Sequence, residues 1–272
     1  MGTVSVNNLR WDEVGTIALR ADLTSGAYLG TGNVTGTSAS IARFIPEHFD
    51  TTISPPMNCV GMICPGNGMA YSGQPFTTNV TAKNGVNATT TNYDATLGAS
   101  KQVTLSAAST LGGSISPLGN MSNNIIPASS FTNGSSVVAT TPKPAFSFGT
   151  VPTVPTDIYV RATDTDNATS LRSPGNTSIE GGIKIVSGKL KISNAYGSEL
   201  LNLPIPIEAQ YYNTSGVWTK NISDSISVLN TTTNLVQTII TGPLTSVTAA
   251  GFGPLSIGAG GATMTLIKPG VA

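Results

Sequence analysis

The sequence predicts an all-β protein of tandem Ig-like, antiparallel β-sandwich domains, and three observations predict it. Short runs of alternating apolar residues recur at roughly 8- to 14-residue intervals with Gly, Pro, Asn or Ser between them, the spacing of a sandwich or barrel. Charged residues make up only 10% of the chain and aromatics 6%, and the remainder is rich in Thr, Ser, Asn and Gly. Thr is β-branched, and Asn, Ser and Gly compete with helical hydrogen bonding and favour turns. Finally, no stretch carries the apolar spacing of a long helix.

At about 100 to 150 residues per domain, the 272 residues divide into three parts. Residues 1–41 read as the end of a preceding β module or as N-terminal strands, 42–170 as one Ig-like sandwich, and 171–272 as a second sandwich that breaks off early.

The elements follow in order. In residues 15–23 (GTIALRADL), Ile17, Leu19 and Ala21 alternate with Thr16, Ala18 and Arg20, a strand that leads into turns around Gly30, Gly32 and Gly36. The next block opens at Arg43, with strands expected at 75–82, 102–107, 145–149 and 156–162; Phe76, Val80 and Ala82 share one face at period 2. Residues 111–142 read as long loops with one short strand at 136–139, and 164–177 as a turn-rich linker. The last block supplies strands at 183–186, 189–193, 203–212, 225–229, 235–240 and 262–267. In it Leu190 and Ile192 oppose Lys189 and Lys191. Pro204 and Pro206 cannot donate to a ladder, so their strand is expected at an edge or bulged, with Ile205 and Ile207 still pointing inward.

Charge excludes some functions. Thirteen basic and thirteen acidic residues are scattered without a basic block, which argues against nucleic acid. No run approaches the roughly 18 to 20 apolar residues of a membrane-spanning helix, and residues 1–10 lack the regions of a signal peptide. An export signal is therefore not expected within this chain, although a composition low in Lys and Glu and rich in Thr, Ser and Asn is common among extracellular β-proteins.

Candidate sites are few. Cys59 and Cys64, in the run NCVGMICPGNG, can close a small disulfide ring; the alternatives are free thiols or a metal ligand pair. Asp164, Asp166 and Asn167 have the alternate-position oxygens that begin many calcium loops, and Glu180 would be a distal carboxylate. The plainer reading is a polar linker whose Asx turns end the preceding strand. Calcium is the one cofactor the residues suggest. His48 stands alone as a histidine, and one imidazole cannot be paired from sequence with a nucleophile. Glu199 and Glu208 as a glycosidase pair have nothing to fix their separation. The Asn-x-Ser/Thr triplets arise by chance in so Asn- and Thr-rich a chain. The glycine groups Gly30, Gly32, Gly36 and Gly258, Gly260, Gly261 precede no helix and read as turns. Tyr196, Tyr211, Tyr212 and Trp218 lie close enough together for a sugar- or protein-binding surface, with only one of the adjacent tyrosines able to face the core.

The run GKLKISNAYGSELLNLPIPIEAQYY (188–212), followed by Trp218, Asn221 and Asp224, carries a resemblance. RFIPEHFD from Arg43, YSGQPFTTNVTAKN (71–84), TTNYD from Thr90, and RATDTDN followed by EGGIKIVSG occur in the same order. Together they resemble the C-terminal domain of unknown function of MshQ-like proteins of mannose-sensitive haemagglutinin (type IV pilus) biogenesis. The resemblance implies a bacterial outer-surface protein encoded with pilus machinery, often bearing a lectin-like jelly roll upstream. It implies no catalysis. The partners expected are pilus or cell-surface proteins, with glycans as a further class that the aromatic residues suggest. The chain departs from the pattern at Ile226, where a Cys commonly stands, and it ends before the family's usual last strands. The leading expectation is therefore a non-enzymatic structural or adhesion protein of the cell surface. The rival is a carbohydrate-binding module, which requires several coplanar exposed aromatics. A hydrolase would require convergent polar groups in a cleft around His48.

Overall fold

The computed structural model describes residues 5–23, 34–116, 118–136, 143–172, 178–198, 200–230 and 254–268, with the side chain of Asn67 excepted. Among them the structure is all-β, with two single-turn 3-10 segments at Pro65–Asn67 and Ala128–Ser130. Among the described residues, no helix is long and apolar enough to cross a membrane.

The first sandwich packs a six-stranded sheet on a four-stranded one. The larger sheet runs Ile125–Ile126, Val103–Ala108, Thr156–Asp164, Gly181–Val186, Gly68–Tyr71 and Met57–Asn58. Its pairs are antiparallel except Gly181–Val186 with Gly68–Tyr71, which is parallel. The smaller sheet runs Phe131–Thr132, Ser135–Ser136, Thr77–Lys83 and His48–Ser54. Period 2 decides what lies between them: Thr78, Val80 and Ala82 point in, and their neighbours are half-buried. Phe49, Phe76, Phe131, Leu105, Ile158 and Ile183 fill the core. Tyr93 joins it, edge-on to Phe49 at 5.5 Å and to Phe131 at 5.0 Å, and its hydroxyl donates to Asp164 at 3.0 Å.

The structure differs from the sequence reading at two places in this sandwich. Residues 119–135, read as loop, contain Gly119–Ser122, Ile125–Ile126 and Phe131–Thr132, and Ser135–Ser136 begins one residue before the strand expected at 136–139. These strands are two to four residues long, with single apolar anchors such as Ile126 and Phe131, too short to show a period. The strand expected at 136–139 falls mostly outside the described residues. The second difference concerns the boundary at residue 170. The Gly181–Val186 strand, assigned by sequence to the second domain, is bonded into the centre of the first sandwich, between Thr156–Asp164 and Gly68–Tyr71.

The N-terminal segment is moored to this sandwich. Val14 is buried in its core, and the Glu13 carboxylate accepts from the Thr91 hydroxyl at 2.9 Å and the Asn92 N–H at 2.9 Å. The chain then runs out as a two-stranded ribbon, Gly15–Ile17 with Ala42–Phe44 and Arg20–Asp22 with Thr35–Thr37, and returns into His48–Ser54.

In the second sandwich, Leu203–Tyr212 pairs with Gly188–Ile192 on one side. On the other it pairs with Gly261–Leu266 and Trp218–Lys220. Val228–Leu229 pairs with Leu255–Ser256. Ile207, Ala209, Leu229, Ile257 and Met264 form its core. Pro206 O accepts from Ser193 N–H at 2.9 Å, so residues 204 and 206 aim their backbone toward the side where the Gly188–Ile192 strand has ended at Ile207. The missing proline N–H groups therefore face the side where that strand ends, opposite Ser193 and beyond, and the Gly261–Leu266 ladder is undisturbed. The strand expected at 235–240 lies outside the described residues.

Candidate functional site

The side chains that combine into one arrangement lie where the two sandwiches meet. A single residue, Ser187, separates Gly181–Val186 of the first from Gly188–Ile192 of the second. Ser187 is buried. Its hydroxyl accepts from Thr153 N–H at 2.8 Å and donates to Thr153 O at 3.0 Å, while its carbonyl accepts from Tyr212 N–H at 3.0 Å. A linker of one residue bonded to both sides leaves little freedom for a hinge.

Tyr71, at the end of the Gly68–Tyr71 strand, reaches across. Its hydroxyl donates to Asp224 Oδ2 at 3.0 Å and accepts from Asn221 Nδ2 at 2.7 Å. Asp224 is fully buried, and its other oxygen accepts from Ile226 and Ser227 N–H at 3.2 and 2.9 Å. Burial pushes the Tyr71 hydroxyl far above its ordinary value; the Asn221 bond opposes this and the Asp224 charge adds to it. The phenol is thus neutral at physiological pH and fixed as a donor to the carboxylate. Gly188 makes the approach possible: a Cβ there would stand 2.3 Å from the Tyr71 ring.

Cys59 and Cys64 form the disulfide that the sequence suggested. They pack with Met57, Met69, Val186, Tyr71 and Tyr211 in a small apolar cluster at the junction. The loop they close touches the second sandwich, where Val60 N–H donates to Ser223 Oγ at 2.9 Å. A cavity of about 340 Å³ opens beside these contacts, lined by Tyr71, Ser72, Lys189, Asp224, Ser227 and Ile257 among others. The polar groups of Tyr71 and Asp224 on its wall are already engaged with each other, and the arrangement holds two domains in register.

The remaining candidates are dispersed. Asp164 spends one oxygen on the N–H groups of Asp166 and Ala168, both at 2.9 Å, and the other on the Tyr93 hydroxyl at 3.0 Å. Burial raises its pKa, against the lowering effect of those bonds. Asp166 is paired with Arg43 at 2.5 Å. Asn167 takes the left-handed conformation, φ 67°, and Glu180 is turned to Arg161 and Gly112. These oxygens build an Asx turn and two ion pairs. A calcium ion would have to displace a guanidinium to use them. Among the described residues, no three His, Cys, Asp or Glu side chains gather in a metal-holding group.

His48 is buried, with Nδ1 against the Glu47 carboxylate and Nε2 3.4 Å from Asp50 Oδ1. Arg172 and Lys83 stand beside the two carboxylates at 3.6 and 4.0 Å. This is a charged cluster, but Nε2 makes no hydrogen bond and its near neighbour is a carboxylate, so no hydroxyl nucleophile is engaged. Glu208 accepts from Gln210 at 3.0 Å; Glu199, Gly30 and Gly32 lie outside the described residues. Gly258 and Gly261 bracket a tight turn. Of the aromatics, Tyr211 faces the junction and Tyr212 turns outward against Trp218, centroids 5.3 Å apart and tilted by 58°. The Lys189 ammonium covers the Trp218 ring at 4.4 Å. Tyr196, 91% exposed, has no ring partner in this group.

Sequence reasoning did not find Tyr71 as the hub. The available signal was the Asx-turn run NISDS (221–225), whose Asn and Asp reach a partner 150 and 153 residues away in sequence.

No curated protein and no solved structure matches the chain. Family models do: the one described as DUF6701, third domain, matches residues 13–183, and the one described as DUF6701, fourth domain, matches residues 186–266. The first match ends within the Gly181–Val186 strand and the second begins at the last residue of that strand, next to Ser187; between them they take in nearly all of both sandwiches and the mooring of the ribbon. The chain belongs to the DUF6701 family and carries its third and fourth domains.

Proposed function

We propose that the chain is a non-enzymatic structural segment of a bacterial cell-surface protein associated with a type IV pilus, of the MshQ-like kind. In this reading the paired sandwiches are a stiff support that carries an adhesive module, and their partners are pilus or other surface proteins. The observation that carries the reading is the junction, where a one-residue linker is pinned by Ser187 and locked by Tyr71, Asn221 and Asp224. Such construction suits a part that transmits force or sets a distance, since freedom between domains would waste both. The disulfide suits an oxidising compartment. The aromatics support a stalk over a carbohydrate-binding module, because among the described residues Tyr212 and Trp218 are tilted to one another and Lys189 covers the indole, so this pair makes no flat platform for sugar stacking.

The test is on cells. Antibody to the chain should label intact, unpermeabilised bacteria, and deletion of the gene should reduce pilus-dependent agglutination while leaving growth unchanged. Labelling only after permeabilisation would remove the surface assignment, and clear sugar binding by the isolated chain on a glycan array would favour the carbohydrate-binding module.

A further inference from the structure

The outgoing strand of the N-terminal ribbon reads Leu19-Arg20-Ala21-Asp22-Leu23. Turned end for end about Ala21, it presents the same chemistry, with Leu opposite Leu, Arg opposite Asp and Ala opposite Ala. Antiparallel pairing with a second copy would thus set two Arg20–Asp22 pairs and two Leu19–Leu23 pairs across one two-fold axis.

The backbone is arranged for this. Leu19 O accepts from Ser38 N–H at 2.8 Å and Leu23 N–H donates to Val34 O at 3.2 Å, so residues 19, 21 and 23 aim their amides at the Thr35–Thr37 strand. By the alternation of an antiparallel ladder, Arg20 and Asp22 aim theirs the other way. Among the described residues the Arg20–Asp22 strand has no second partner strand, and all three of its residues are exposed. Arg20 and Asp22 now pair with each other at 3.0 Å on the same face, with 64% and 49% of their side chains exposed. On the opposite face Leu19, Leu23 and Val34 are each 44–45% exposed.

A ribbon of two strands is marginal in water, and a sheet of three or more with an apolar face is stable. We infer that this ribbon is a homodimerisation element, in which Arg20–Asp22 strands from two copies pair antiparallel about Ala21 to make one four-stranded sheet. The contact is isologous, so each charge pair occurs twice. The chain's formal net charge of zero puts no long-range repulsion in the way. Five residues a side fall short of the roughly 800 Å² per partner of a standard interface, so the dimer is weak in dilute solution and favoured where copies are held close together.

Sedimentation equilibrium of the full chain tests this. The wild type should show a monomer–dimer equilibrium. Arg20→Asp and Asp22→Arg should each weaken it by on the order of tenfold or more, since like charges then face each other twice. An equimolar mixture of the two variants should associate at least as well as the wild type, because a strand with acidic side chains at both positions then meets one with basic side chains at both. Ala21→Cys supplies a readout independent of charge. The two-fold places the 21–21 pair about 4.5 Å apart, within disulfide reach, so mild oxidation should give a covalent dimer, whereas Leu19→Cys should not. A wild type that stays monomeric at all concentrations, single variants that associate as it does, a mixture that fails to recover, or equal cross-linking at 19 and 21 would overturn the proposal.

Discussion

Replacing Tyr71 by Phe removes one oxygen and leaves the ring that packs beside the disulfide, so the effect isolates the hydroxyl's two bonds. The bond to buried Asp224, 3.0 Å long, is a charge-assisted one worth about 1.5–3 kcal/mol. The Asn221 amide, 2.7 Å away, loses its acceptor at a further cost of about 1 kcal/mol. The neighbouring cavity of about 340 Å³ is wide enough to admit water to both groups, which recovers part of the loss. The net expectation is about 2 kcal/mol. Urea unfolding measures it, with Asp224→Asn as a companion that keeps the size and removes the charge. The relative orientation of the sandwiches, followed by NMR, should loosen in Tyr71→Phe while each core keeps its own shifts. A loss under about 0.5 kcal/mol with unchanged orientation would refute the assignment of Tyr71 as the lock.

Further consequences can be measured on the same protein. Gly188→Ala sets a Cβ 2.3 Å from the Tyr71 ring and displaces the lock itself; the expected loss, by thermal or urea unfolding, is about 3 kcal/mol. Reduction of Cys59–Cys64 opens a short ring and should lower stability by about 2 kcal/mol, read as a drop in Tm with reductant that a Cys59→Ser, Cys64→Ser variant no longer shows. Burial raises the hydroxyl pKa of both Tyr71 and Tyr93 above the ordinary 10.0. Their contribution is therefore full below about pH 10 and lost as pH rises beyond it, when the unfolded chain ionises first. The wild type should destabilise steeply in alkali, and Tyr71→Phe less so. Calcium and a chelator should leave Tm equal, since Arg43 holds Asp166; a saturable rise with calcium would contradict this.

The fold class was legible because it depends on period. Thr77–Lys83 alternates over seven residues, and Val80 and Ala82 point inward as their spacing requires. Leu203–Tyr212 was legible even through its two prolines. The strands between 119 and 136 were not, since a two-residue strand held by one Phe131 has no period to read. The domain boundary was misplaced for a related reason. The turn-rich run after Asp164 looks like a linker, yet the chain comes back to lay Gly181–Val186 in the middle of the sheet it has just left, with a parallel neighbour from more than a hundred residues earlier. The disulfide was readable from the five-residue separation of the two cysteines. Asp164 was noticed for its oxygens, but whether they face an ion or an N–H depends on Tyr93 and the turn itself. Tyr71 could not be picked out, because its role exists only once two domains are placed side by side.

Ser187 and the Tyr71–Asp224–Asn221 contacts should hold the two sandwiches as one rigid body. Residual dipolar couplings measured on the aligned full chain decide this: amides of both sandwiches are expected to fit one alignment tensor of one magnitude. Two tensors of clearly different magnitude, in a protein whose Cys59–Cys64 bond is intact, would show instead that the junction bends.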